Sequence, residues 1–316
     1  MEHTRNTQSQ YLNRYKLRGQ LKERNKKYGE LSKIKPYLMV SPAIIILAVF
    51  VLYPIGYMVY LSGFEWNLIG EKVFIGLGNF KALFTSEEFL QVVVNTMKYT
   101  FYTVFFSVGI ALMLAEYLKE SRKINSILQG IIFTPYVIPL ISIAFIWMWL
   151  MDSDYGLLNY LLEVLEINSV KWLEDPKIAL NSIILVSVWK GVGYNVIILL
   201  SAMHAVPKDL YEAANLDRAS KQKVFFKITM PMISPSIFFL VLMNIISSFK
   251  VFETVSIMTQ GGPMNSTNTL VFNLYEYGFK YYKIGYASAM GVVLMGLIGI
   301  CTILYFWALS KKVHYQ

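Results

Sequence analysis

Six stretches of the chain are apolar enough, over enough residues, to cross a bilayer as helices. They run roughly over Tyr37–Leu61, Tyr99–Leu118, Ile127–Leu150, Ala179–Ser201, Met232–Val251 and Gly285–Leu309. About 18 residues with few or no charges is the length that signals a span. Charged side chains interrupt these six only at Glu116, Lys190 and Lys250. The period-two alternation of a membrane barrel is absent. Only helices and closed barrels satisfy their backbone in lipid, so the pattern predicts an all-α integral membrane protein with six transmembrane helices.

Between the spans the pattern is shorter and more varied. Phe74–Phe89 reads as a small amphipathic element, GLGNF followed by a helix start at Ser86-Glu87-Glu88. Tyr155–Ile167 carries Leu157, Leu158, Leu161, Leu162 and Leu165 on one side, which predicts an amphipathic helix lying at the outer surface. Gln260-Gly261-Gly262-Pro263 is a turn signal, and the aromatic-rich Thr269–Lys280 suits the membrane interface. Pro135 and Pro139 should kink the third span. There is no fixed-period repeat and no low-complexity segment.

Charge orients the chain. It carries 29 Lys and Arg against 20 Asp and Glu, a net +9, and only 16% of its 316 residues are charged, against roughly 25% in soluble domains. A basic balance invites a nucleic-acid reading, but the distribution excludes it. Ten basic residues precede Tyr37; Lys119, Arg122 and Lys123 follow the second span; Lys208, Arg218, Lys221, Lys223 and Lys227 follow the fourth; Lys311 and Lys312 follow the last. The alternate loops are acidic, around Asp152, Asp154, Glu163, Glu166, Glu174 and Asp175. The positive-inside rule then places both termini in the cytoplasm. Residues 1–36 form a basic tail that orients the protein and meets anionic lipid. It is too long and basic for the leader of a cleaved signal. Residues 37–310 form the membrane domain and 311–316 a second short tail.

Polar residues inside the spans are the candidate chemistry. A charge at mid-membrane costs from about 3 kcal/mol upward, and Lys190 lies near the centre of the fourth span, on one face with Ser187, Gly191 and Tyr194. The face is either a packing surface with a snorkelling lysine or the wall of a cavity. Depth in the membrane favours the cavity. Asn244, Ser247 and Ser248 repeat the spacing on the fifth span, where small polar residues also serve as packing glue. Together the two faces can line one path, with Trp189, Phe249 and Phe252 as flat apolar neighbours. A weaker stripe on the second span, Asn95, Thr96, Tyr99 and Thr103, reads as packing. No phosphate-binding G-x-x-x-x-G-K-[ST] occurs, so ATP would be bound by another chain. No carboxylate lies mid-span, as a proton relay would need, because Glu253 falls at the outer end of the fifth span. His3, His204 and His314 all fall in or near cytoplasmic segments, leaving no catalytic pair and no metal cluster; the lone Cys301 reads as packing.

The densest signal is EAANLDRASKQKVFFKITMP, residues 212–231, in the basic loop after the fourth span. It resembles the EAA loop of ABC-importer permeases: Glu212-Ala213-Ala214, then a glycine position held here by Arg218, then Ile228, Met230 in a leucine position, and Pro231. The stretches VWKGVGYN, AVPKDLYEAANLDRAS, FFKITMPMISP and TQGGPMNSTNTL extend the likeness over nearly the whole chain. Together they resemble the carbohydrate class of binding-protein-dependent permeases, the first of its two permease subunits.

The resemblance implies a type I importer fold and a prokaryotic cell membrane. It implies four partners: a second homologous permease, two ATPase subunits that hold ATP and Mg, and an extracytoplasmic solute-binding protein that delivers sugar. The chain itself would hold no cofactor and catalyse nothing. Its coupling loop, about 203–231, would dock on the ATPase through Glu212, Ala213 and Ala214 at the start of a short helix, with Asp217 and Arg218 behind. Trp189, Gly191 and Tyr194 match aromatic and glycine positions of the family's sugar site, and Asn244, Ser247 and Ser248 fall where its polar contacts lie. Glycine at position 218 allows a left-handed turn, so arginine there is strained if the geometry is kept. Two alternatives stand: a subunit that only scaffolds the pore, and a secondary transporter.

Overall fold

The computed structural model describes residues 35–120 and 122–309. The chain divides after Met58. In the first unit, residues 35–58 belong to the helix Lys35–Ser62 (α1), and none of them is buried. Pro54 has no N–H to continue the α pattern, and a π turn, Ala48–Leu52, precedes it, with the Tyr53 amide reaching back to Ala48.

The second unit opens on a two-stranded antiparallel ribbon, Phe64–Glu65 (β1) with Val73–Phe74 (β2). The helices follow: Gly78–Thr85 (α2), Glu87–Leu118 (α3), Lys123–Val137 (α4), Leu140–Leu150 (α5), Leu157–Val164 (α6), Ala179–His204 (α7), Lys208–Leu216 (α8), Ser234–Phe249 (α9), Glu253–Met258 (α10), Leu270–Tyr275 (α11) and Ile284–Leu309 (α12). A one-turn helix at Lys221–Val224 and a π turn at Phe225–Thr229 lead into α9. All six expected spans are present, five as long apolar helices and the third as the broken pair α4 and α5. The break falls at Ile138-Pro139 and bends the pair by 98°, while Pro135 stays inside α4 without ending it.

α3 begins twelve residues earlier than hydropathy suggests. Ser86 caps it, its hydroxyl accepting from the Phe89 amide at 3.3 Å, with Glu87 and Glu88 in the first turn. The extension packs on the segment after the fifth span. Asn95 donates to the carbonyls of Asn265 and Asn268 at 2.8 and 3.1 Å, and the Thr96 hydroxyl accepts from Leu270 N–H at 3.0 Å. Tyr277 donates to Glu88 at 3.2 Å; burial and the nearby carboxylate push its phenol up to about 12, so it stays a donor. The segment Thr269–Lys280, expected at the membrane interface, is in part packed into the protein: Leu270, Phe272 and Asn273 are buried, while Phe279 is exposed.

α7 is the central helix, packed on α3 and α4. Its buried Ile183, Val192, Val196 and Leu199 meet Tyr99, Ala111 and Ala115 of α3. Without a hydrophobic driving force between helices in lipid, close backbone approach carries much of the association. Gly193 supplies it: a methyl group there would collide with the carbonyl of Ile132 on α4. Gly191, two residues earlier, faces open space, its nearest neighbour being Ser107 Oγ at 4.0 Å. Gly193→Ala is therefore expected to destabilise the solubilised protein by about 1–3 kcal/mol, and Gly191→Ala to leave its melting temperature close to wild type. Thermal unfolding of the two variants side by side checks this.

Candidate functional site

Two interrupted helices frame the site. α4 gives way to α5 at Ile138-Pro139, and α9 gives way to α10 at residues 250–252. Between the two breaks lies a cavity of about 410 Å³. Irregular backbone at membrane depth is tolerated where it lines such a space. Tyr136 and Leu140 reach it from the first break, and Lys250, Val251, Glu253 and Thr254 from the second. α7 contributes Ser187, Lys190 and Gly191, α9 contributes Asn244, Ser247 and Ser248, and α3 adds Tyr99, Thr103 and Ser107.

Lys190 is held in a way that its sequence neighbours do not reveal. Its ammonium donates to the carbonyls of Pro135, Tyr136 and Ile138 at 3.1, 3.2 and 2.7 Å. Those carbonyls belong to the end of α4. Pro139 has no N–H to offer Pro135 four residues back, and the bend carries the Leu140 amide away from Tyr136. All three ammonium donors are thus committed to closing the helix end, and a positive charge at a helix C-terminus is favourable. Lys190 stands on the cavity wall, as expected, but as the cap of the broken span.

The other polar groups are also paired across helices. Tyr99 OH donates to Ser187 Oγ at 2.8 Å, and Ser187 Oγ donates to Ile183 O at 2.9 Å. Asn244 and Asn195 form a reciprocal amide pair at 3.0 and 3.4 Å. Of the expected pathway residues, Ser187, Lys190, Gly191, Asn244, Ser247 and Ser248 come together on one wall. Trp189 and Tyr194 do not. Trp189 points out of the bundle, edge-on to Trp147 at 5.4 Å. Tyr194 lies one turn beyond the cavity, stacked at 4.9 Å on Tyr136, whose ring takes the wall position. Phe249 and Phe252 also pack elsewhere, Phe249 buried and Phe252 against Phe272 and Tyr275. Glu253 stands at the second break on the cavity wall, because the fifth helix stops short there. Asn195 lies at i+8 from Ser187 and i+4 from Gly191, and this spacing is the only sequence signal that joins it to their face. Tyr99 and Thr103, expected as packing, also reach the cavity.

The segment after α7 forms a second candidate site. Glu212 and Ala213 are exposed on α8 while Ala214 is buried. The helix starts at Lys208 with Asp209 in its first turn, so Glu212 sits in the second turn rather than at the start. It ends in a Schellman motif: Ala219 N–H reaches Ala214 O at 2.9 Å and Arg218 N–H reaches Asn215 O at 3.0 Å. Arg218 takes the left-handed position at φ 51°, so the glycine geometry is kept with an arginine in it, at a strain of about 1–3 kcal/mol. Asp217 is the residue before it, exposed like Arg218. Tyr211 anchors the helix from below through Thr229 at 3.2 Å.

Comparison with known proteins places this arrangement. The sequence pattern of the family described as the inner membrane component of binding-protein-dependent transport systems matches residues 107–315. The chain belongs to that family. It is therefore a permease subunit of a binding-protein-dependent ABC transport system, a transport component and not an enzyme. The sn-glycerol-3-phosphate transport system permease protein UgpA of Pectobacterium atrosepticum is 31% identical over 285 residues, 89% of this chain and 96% of the relative. The probable ABC transporter permease protein YurN of Bacillus subtilis is 36% identical over 269 residues, 84% of this chain and 92% of the relative. A chain in the crystal structure of a bacterial alginate ABC transporter, in complex with its alginate pentasaccharide-bound periplasmic protein, superposes with a TM-score of 0.79 at 22% identity, over 89% of this permease and 96% of that chain. The shared fold is that of type I importer permeases.

The capping role of Lys190 has a measurable consequence. Lys190→Met removes three hydrogen bonds to the end of α4, one part-buried and two exposed on the cavity wall, each worth about 0.5–1.5 kcal/mol. The variant is expected to melt well below wild type and to assemble poorly, with uptake per assembled complex less affected. Thermal unfolding beside uptake normalised to protein in the membrane checks it; unchanged melting with lost uptake would assign the ammonium to the solute instead.

Proposed function

We propose that this permease forms half of the translocation pathway of an ATP-driven sugar importer, with the cavity between the two helix breaks as its part of the solute chamber. The observation that carries this reading is the convergence of polar side chains from α3, α7, α9 and both breaks on one 410 Å³ space inside a membrane bundle. That volume lies toward the small end of the roughly 300–1,000 Å³ of small-molecule sites, which suits one share of a chamber completed by a second homologous permease. Saccharides and polyol phosphates are the solute class, supported by relatives named for glycerol phosphate and by the fold shared with an alginate transporter.

Energy would enter from two ATPase subunits carrying ATP and Mg. α8 is the coupling element: Glu212 and Ala213 face outward, Ala214 roots the helix, and Asp217 and Arg218 shape its end. An extracytoplasmic solute-binding protein would deliver the sugar to the outer mouth, in a prokaryotic cell membrane.

A second reading has its own support. Lys190, Asn244, Asn195, Ser187 and Tyr99 already satisfy one another or the backbone, as they would in a subunit that scaffolds a pore whose solute contacts lie on the partner permease.

Gly191 separates the two readings, because it opens on the cavity with room for a side chain. Gly191→Leu should abolish uptake while leaving assembly and the melting temperature near wild type; normal uptake would favour the scaffold. The coupling proposal has a separate test. Loss of one desolvated interface charge costs about 2–5 kcal/mol, so Glu212→Ala should release the ATPase or uncouple hydrolysis from uptake, with the membrane helices still folded. Co-purification of the ATPase and sugar-stimulated hydrolysis are the readouts, and wild-type values for both would remove Glu212 from the joint.

A further inference from the structure

α6 is an amphipathic helix turned inside out. Its polar residue Asn159 is buried, while Leu157, Tyr160, Leu161, Val164 and the capping Leu165 are between 41% and 67% exposed. The expected single face of five leucines is split: Leu158 and Leu162 turn toward the protein, and Leu157, Leu161 and Leu165 turn away.

This roll is fixed, not incidental. Asn159 Nδ2 donates to the carbonyls of Ser153 and Val170 at 3.0 Å and of Asp152 at 3.4 Å; its Oδ1 accepts from Val170 N–H and Trp172 Nε1–H at 3.0 Å. The approach to the helix is equally constrained. The Asp152 carboxylate accepts from the amides of Asp154 and Tyr155, which hold its pKa below the usual carboxylate range. A methyl group at Gly156 would collide with the carbonyl of Asp152. At the far end Glu166, at φ 58°, closes a Schellman turn in which Ile167 N–H reaches Leu162 O at 2.9 Å.

We propose that α6 lies in the outer headgroup layer of the bilayer, with its exposed apolar arc turned into lipid. Three features select lipid over a protein partner. The arc is five side chains, far short of the roughly 20–30 residues a side of a specific protein interface. It follows within a few residues on α5, whose Phe145, Ile146 and Trp149 are likewise exposed on a membrane helix. Tyr155, Tyr160 and Trp149 are the amphipathic rings that favour the headgroup level, and Glu163 and Glu166 flank the arc on its exposed polar side. α6 packs on α5, so lipid anchoring would hold the outer end of the half-helix whose inner end, Leu140, borders the cavity.

The test is independent of ATP and of sugar. Spin labels are placed through Leu161→Cys, Val164→Cys and Glu163→Cys in a Cys301→Ser background. The permease, with the chains that co-purify with it, is reconstituted into phosphatidylcholine–phosphatidylglycerol bilayers. Collision rates with oxygen, which partitions into lipid, are compared with those of a water-soluble nickel chelate. Oxygen should dominate at Leu161 and Val164, and the chelate at Glu163. A chelate-dominated rate at Leu161 or Val164 would put the arc in water, and low rates with both reagents would put it under a protein; either result overturns the proposal.

Discussion

A carbonyl without a donor has no water to turn to inside a bilayer, and this constraint organises the site. The third span cannot stay straight through Ile138-Pro139, so the end of α4 leaves acceptors without intrahelical donors at the wall of the cavity. Lys190 resolves two problems at once. An ammonium at membrane depth needs compensation, three carbonyls at a helix end need donors, and a favourable helix dipole joins them. The bend of 98° then becomes a stable feature, and the cavity exists because of it.

The same economy appears in the remaining polar contacts. Asn195 and Asn244 each supply what the other lacks, and Tyr99 meets Ser187. Such pairs are modest in energy within membranes, yet they hold α3, α7 and α9 in register around the cavity. Gly193 works from the other side, since its missing side chain lets α7 approach the backbone of α4 closely enough for Lys190 to reach its end.

At α8 the chain accepts local strain to present a surface. The Schellman turn at Arg218 closes α8 after nine residues and leaves Glu212 and Ala213 outward. A glycine would adopt that turn without steric strain. The arginine takes the left-handed shape at φ 51° and adds an exposed charge beside it.

The sequence by itself determined the element types and the class of protein. Apolar runs as long as a bilayer is thick predict spanning helices, so all six spans were legible, as was the Ser86 helix start. Residue spacing also brought Ser187, Lys190 and Gly191 onto one face and Asn244 with Ser247 and Ser248 onto another, because the helical period is local. What lies across a helix pair is not local. Tertiary structure alone decided that Lys190 would cap α4, that Tyr136 would take the wall position expected of Tyr194, that Trp189 would leave the bundle, and that Glu253 would turn into the cavity at a second break. It also turned α6 over, since Asn159 makes five hydrogen bonds to segments that periodicity treats as separate. Each of these depends on where a second chain segment stops or bends, and hydropathy carries no record of that.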